Sequence, residues 1–208
     1  MSGPIGKDFQ PQFPSRVTQR TDFLEPLKVV PGQRLFNEVT EVYIWYVSSS
    51  WYHMEGDSER NMLSRIKRIA EVSMQGGNYL SGQEDVEATT RLKDLFQDLN
   101  SGKLRRQDLP QALNEMLTQL THTNPKAKVV SQATELEYRL CINPPPDQSP
   151  EVTEHYRQIL LTIIQGITPQ LTEINASAIA QGLTQILENF HTMDNFGNAI
   201  SNAIRHWI

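Results

Sequence analysis

Helix start and stop signals recur along most of this sequence and constrain its fold more than any other feature. Residues Ser81 to Glu84 have the spacing of a capping box, in which each of these two side chains bonds the backbone of the other residue. Four further sites join a capping side chain to a proline suited to the first helical turn. These are Asp108 with Pro110, Asn124 with Pro125, Ser149 with Pro150, and Thr168 with Pro169. We therefore predict an all-α protein, a compact domain of about seven to eight helices.

Breaks rich in glycine, asparagine and proline separate the helical patterns. The predicted helices lie near residues 33–54, 58–75, 82–99, 108–121, 125–141, 150–166, 169–190 and 195–207. The segment 135–142 is ambiguous, because it alternates apolar and polar residues as a strand does. A lone strand would leave its backbone groups unpaired. We therefore favour a helix there.

The first 32 residues are predicted to form an extended arm. Proline disfavours helix at its own position and at the one before it, and the arm shows no apolar periodicity. Its prolines are Pro4, Pro11, Pro14, Pro26 and Pro31. The arm also carries Phe9, Phe13, Phe23 and Leu24, and we expect the part from Phe23 onward to dock on the helical domain. That domain spans residues 33–208, with a candidate sub-division near 143–149.

Charge and cysteine content narrow the functional classes. The net charge of −5 and the pI near 5.6 argue against general nucleic-acid coating. The sequence has no apolar run of the roughly 18 to 20 residues that a membrane span requires, and no apolar leader. Its single cysteine, Cys141, excludes an internal disulfide framework and suits a reducing compartment. We expect a cytoplasmic protein in which Cys141 is a small core residue.

The first predicted helix has two faces of different character. One broad arc is apolar and is predicted to be buried; it contains Phe36, Val39, Val42, Tyr43, Tyr46 and Val47. Trp45 and Tyr52 lie two turns apart on the opposite, polar side. Either the chain itself covers both faces, or Trp45 and Tyr52 contact a partner protein or a flat ligand. At the C-terminus, Trp207 belongs to an apolar helix face that must dock on the chain or on another subunit.

Two groups of basic residues form a second candidate surface. Arg60, Arg65, Lys67 and Arg68 lie on the polar side of the second predicted helix, and Lys103, Arg105 and Arg106 lie in a later loop. Brought together, they would suit phosphate groups or an acidic protein. Glu59 and Glu71 interrupt the first group, and no nucleic-acid recognition motif accompanies it. A solvated face is the simplest interpretation.

Catalytic motifs are absent from the sequence. Glu188 and His191 have the spacing of half of a carboxylate-bridged di-metal site, but the other half is missing. No phosphate-binding loop, dinucleotide fingerprint or nucleophile motif occurs. We predict no enzyme, no metal site and no cofactor.

The sequence therefore favours a non-catalytic accessory, adaptor or regulatory subunit of a cytosolic complex. Trp45, Tyr52 and Trp207 would contact the protein partner or a second copy of the chain. One alternative is a nucleic-acid-associated component that uses residues 60–68 and 103–106. Another is a small-ligand or pigment-binding helical domain that uses Tyr43, Trp45 and Trp51.

Overall fold

All regular structure in the described part of the chain is helical. The computed structural model describes residues 30–48, 57–77, 79–142, 144, 149–165, 172–190, 199 and 202. Within these ranges lie seven α-helices: α1 Gln33–Ser48, α2 Asp57–Val72, α3 Gly82–Ser101, α4 Leu109–His122, α5 Pro125–Ile142, α6 Pro150–Gln165 and α7 Glu173–Glu188. The all-α prediction is confirmed, and the ambiguous segment 135–142 belongs to α5. Of the predicted arm, only residues 30–32 are described. The predicted extension of α1 to residue 54 and the helix 195–207 lie largely outside the described residues.

Local capping signals gave correct helix starts at three positions. In the capping box of α3, the Glu84 amide donates to Ser81 Oγ at 3.1 Å and the Ser81 amide donates to Glu84 Oε2 at 2.6 Å. Asn124 Oδ1 accepts from the Ala127 amide at 3.1 Å at the start of α5. Ser149 Oγ accepts from the Val152 amide at 3.3 Å at the start of α6.

The helix start predicted at Asp108 is also correct, since α4 begins at Leu109, but the predicted side-chain cap does not form. A 3-10 turn, Arg106–Asp108, leads directly into α4, and the Asp108 side chain makes no capping hydrogen bond. Its carboxylate instead accepts from Arg105 Nε at 2.8 Å. The predicted cap at Thr168 lies outside the described residues, whereas α7 begins with a reciprocal pair between Thr172 and Asn175.

The helices pack in two connected groups. Helices α1, α2, α4 and α3 form a ring in which each contacts the next, and α5 packs on α2 and α4. Helices α6 and α7 pack on α5. The buried face of α2 contains Leu63, Ile66, Ile69 and Ala70. In the part of the chain that the structure describes, each helix is too short or too polar to span a membrane.

The buried face of α1 differs from the predicted arc. It consists of Leu35, Glu38, Val39, Val42, Trp45 and Tyr46. The indole of Trp45 is 4% exposed and packs edge-on against Phe96 of α3, with 5.4 Å between ring centroids. Val47, predicted to be buried, is 43% exposed, and Ile44 is 60% exposed. The arc is displaced because α3 covers the side of α1 that bears Trp45.

A glycine fixes the entry of the chain into α1. Gly32 has a φ of +92°, a conformation that L side chains rarely adopt. A Cβ atom at this position would lie 2.4 Å from the carbonyl oxygen of Ala70 in α2. Both constraints require glycine, and they hold the first turn of α1 against the end of α2.

Candidate functional site

A cleft of about 360 Å³ lies over α2, between the two helices that pack on either side of it, α1 and α5. Its walls contain both aromatic and charged side chains. The lining residues are Phe36 and Tyr43 from α1, Ser64, Lys67, Arg68 and Glu71 from α2, and Thr134, Glu137 and Tyr138 from α5. We call it the Lys67 cleft.

Lys67 lies between two aromatic rings. Its Nζ atom is 5.7 Å from the ring centroid of Phe36 and 5.7 Å from that of Tyr43. These two residues are seven apart, so they occupy the same face of α1 about 10 Å apart along the axis. A lysine over aromatic faces gains cation–π attraction while its ammonium group keeps its hydrogen-bond donors. Among the described residues, no carboxylate lies within ion-pair distance of Lys67.

The other charges of the cleft are paired within the chain. Arg68 Nη1 lies 2.7 Å from Glu71 Oε2, one turn along α2. Across the cleft, Glu137 Oε1 lies 2.9 Å from Arg157 Nη2 of α6. Both cleft carboxylates are therefore neutralised by arginines. The ammonium group of Lys67 is the cation that remains for an incoming acceptor in this described part of the surface.

Apolar surface continues from the cleft along α1. Ile44 and Val47 follow Tyr43 on this helix, and their side chains are 60% and 43% exposed. Val47 lies one turn after both Tyr43 and Ile44, so these side chains are helix-surface neighbours, and exposed aliphatic groups beside a cleft are a feature of interaction sites.

The remaining basic residues of the predicted stripe have other roles. Arg65 is mostly buried; it bonds Ser131 Oγ at 2.9 Å and pairs with Glu135 at 3.4 Å, and burial lowers its pKa. Arg105 is exposed and pairs with Asp108. Lys103 is exposed in the loop before α4.

Arg60 and Arg106 lie near a buried tyrosine. Burial and the nearby Glu59 carboxylate raise the pKa of Tyr46, and Arg106 and Arg60 oppose this rise. The structure therefore brings Lys67 and Arg68 into one cleft, directs Arg60 and Arg106 toward Tyr46, and leaves Lys103 and Arg105 in a separate loop. It does not join the predicted stripe into one continuous basic face.

The three aromatic residues predicted to contact a partner also have different outcomes. Trp45 lies in the core, which agrees with the interpretation that the chain itself covers both faces of α1. Tyr52 and Trp207 lie outside the described residues and stay predictions, as does the role of Trp51 in pigment binding. Nothing in the sequence pattern distinguished Trp45 from an exposed anchor, because both interpretations place it opposite the main apolar arc.

No family model, curated protein or solved structure matches this chain.

The described residues contain no cluster of three or more His, Cys, Asp or Glu side chains that could hold a metal ion. Cys141 is exposed rather than a core residue, because it lies at the outer end of α5. Burial of its sulfur and the Glu137 carboxylate raise the pKa of the thiol, which lowers its thiolate fraction.

A second cavity, of about 410 Å³, lies between the α4–α5 turn and α7. Its walls are polar, with Lys128 and His122 facing Gln181 and Glu188. Among its lining residues there is no Phe, Tyr or Trp, and the exposed Ile174 lies one turn before Ser177 at its edge. The Lys67 cleft, which combines a cation, aromatic rings and exposed aliphatic residues, is the stronger candidate site.

Proposed function

We propose that this chain is a non-catalytic binding protein, an adaptor or accessory subunit of a cytosolic complex. Its Lys67 cleft accepts a peptide segment of a partner protein that carries an aromatic or branched aliphatic side chain beside a carboxylate. The observation that carries this proposal is the Lys67 ammonium group, held between Phe36 and Tyr43 with no carboxylate partner among the described residues.

The chemistry of the cleft selects this class of partner. An ammonium group partly shielded by aromatic rings gains most from a carboxylate that can accept its hydrogen bonds. The rings of Phe36 and Tyr43 offer apolar contact area to the body of the same segment. Ile44 and Val47 extend this contact area beyond the cleft, which suits a peptide better than a small compact ligand.

Phosphate-rich partners are less favoured by the same geometry. Nucleic-acid binding depends on several cations that neutralise successive phosphates. Arg65, Arg68 and Arg105 are each paired with a carboxylate of this chain, so a phosphate would have to displace that partner. Among the described cations that line the cleft, Lys67 is the one without a carboxylate partner, and one ammonium group suits one carboxylate.

Selection of random peptides on phage against the immobilised full-length protein tests the proposal. We expect enriched peptides to place Asp or Glu within two residues of Phe, Trp or Leu. Lys67→Gln removes the cation but keeps most of the side-chain length. We expect it to weaken the selected peptides by roughly tenfold or more, which corresponds to about 1.4 kcal/mol.

Lys103→Gln is the matched control, because this lysine is exposed and lies outside the cleft. It should leave peptide affinity within about twofold of the wild type. Circular dichroism of both variants checks that they fold. Equal affinity of the selected peptides for folded Lys67→Gln and the wild type would refute the proposed function.

A further inference from the structure

We infer that the chain carries its own competitor for the Lys67 cleft: residues 22–25, Asp-Phe-Leu-Glu, occupy the cleft when no partner is bound. This inference rests on the proposed function, since it takes the cleft to be a peptide-binding site. It adds an intramolecular occupant, and so a way to regulate partner binding.

The first observation is where the chain enters the helical domain. Val30 is the first described residue, and its carbonyl accepts from the Gln33 amide at 3.0 Å at the start of α1. The next turn is fixed, because Gly32 packs against the carbonyl of Ala70. Glu71, which follows Ala70 in α2, lines the cleft. The arm therefore joins the domain at one end of the Lys67 cleft.

The second observation is the length of the connection. The seven residue steps from Phe23 to Val30 span at most about 25 Å in extended backbone. The cleft wall from Phe36 to Tyr43 is about 10 Å long along the α1 axis. Pro26 favours an extended backbone in this connection. Phe23 is thus within reach of the Lys67 ammonium group.

The third observation is charge complementarity. Asp22 and Glu25 flank Phe23 and Leu24, so this segment presents two carboxylates around an aromatic and an aliphatic side chain. That is the composition we propose for a partner. The other aromatics of the arm match less well. Phe13 has no carboxylate within four residues, and Lys7 offsets the charge of Asp8 beside Phe9.

The test uses a fluorescein-labelled peptide of residues 18–29 and full-length variants of the protein, with affinity measured by fluorescence polarisation. The variant F23S/L24S should bind this peptide at least roughly tenfold more tightly than the wild type does. A tethered segment has an effective concentration near the millimolar range, so in the wild type it competes with added peptide. Adding Lys67→Gln to F23S/L24S should abolish the gain.

The matched control is F9S/F13S, which removes two aromatics from the same arm but leaves residues 22–25 intact. It should bind the labelled peptide as weakly as the wild type. Equal affinity of the wild type and F23S/L24S, or a gain that survives Lys67→Gln, would overturn the inference.

The phage-selected peptides separate the two proposals. If they bind the wild type and F23S/L24S equally in a Lys67-dependent manner and the arm peptide does not bind, the competitor is refuted and the proposed function stands. If the arm peptide binds in a Lys67-dependent manner but no selected peptide binds even F23S/L24S, the cleft holds only its own arm and the proposed function is refuted.

Discussion

Glu38 of α1 places its carboxyl group in the core. Its side chain is 2% exposed, and Lys93 Nζ of α3 lies 3.7 Å from Oε1. Burial disfavours the charged form more than Lys93 favours it, so the pKa of Glu38 rises from 4.5 to about 7. Among the described residues, Oε2 has no hydrogen-bond partner. The folded protein therefore holds the Glu38 proton more tightly than the unfolded chain does.

This raised pKa predicts how stability depends on pH. The contribution of Glu38 to the free energy of unfolding is fully present below about pH 4.5 and is lost as the pH rises through about 7. The loss amounts to about 3 kcal/mol at most. Glu38→Gln cannot ionise, so we expect it to be more stable than the wild type at pH 8 and about equally stable at pH 4.5. Urea unfolding at pH 4.5, 6 and 8 measures this difference.

Glu115→Gln is the control, because this carboxyl is exposed on α4 and is not among the groups that shift the pKa of Glu38. It should leave the difference between Glu38→Gln and the wild type unchanged. Parallel stability curves for Glu38→Gln and the wild type between pH 4.5 and 8 would show that Glu38 ionises normally in the folded protein.

At the scale of the helix, α1 depends on another element for its start. Gly32 occupies the capping position and has no side chain to satisfy the first amides. Asp85 of α3 does so instead: its carboxylate accepts from the Leu35 amide at 2.8 Å and from the Arg34 amide at 3.3 Å. These are the two amides that a capping side chain ordinarily bonds. The negative charge of the Asp85 carboxylate also lies at the positive, N-terminal end of the α1 dipole, where it is stabilising.

We expect Asp85→Ala to lower the free energy of unfolding by about 2 kcal/mol, because it leaves two amides of α1 without acceptors next to the core. Asp85→Asn keeps one acceptor oxygen and should lose less. Asp94→Ala, an exposed position on the same helix, should change stability by less than about 0.5 kcal/mol. Urea unfolding at pH 7 compares the three. Equal losses for Asp85→Ala and Asp94→Ala would show that Asp85 does not cap α1.

These caps illustrate which features of the helices are visible in the sequence. The box of Ser81 and Glu84 is local, so its spacing alone predicted the start of α3. The cap of α1 joins residues 50 positions apart, and no local pattern discloses such a pair. Asp108 shows the converse: its capping signal was present, but the bond to Arg105 competed for the carboxylate.

At the scale of the whole molecule, the sequence does not reveal which helix covers which face of another helix. The apolar period of α1 correctly predicted that the helix has a buried stripe, but not which residues form it. Because α3 packs on the side of α1 that bears Trp45, Trp45 is buried and Val47 is exposed. In the same way, Lys67 and Arg68 were identified as candidate contacts from their charge. Phe36 and Tyr43 were assigned to the core, because their role as the walls around Lys67 arises only when α1 packs on α2.

The most direct test of the Lys67 cleft is the NMR signal of Lys67 itself. Reductive methylation with ¹³C-formaldehyde labels the lysines and keeps their charge, and the Lys67→Arg variant assigns the Lys67 signal. A phage-selected acidic peptide at saturation should shift this signal and leave those of Lys103 and Lys128 unchanged. A Lys67 signal that stays in place while the peptide is bound would contradict its role as the contact cation.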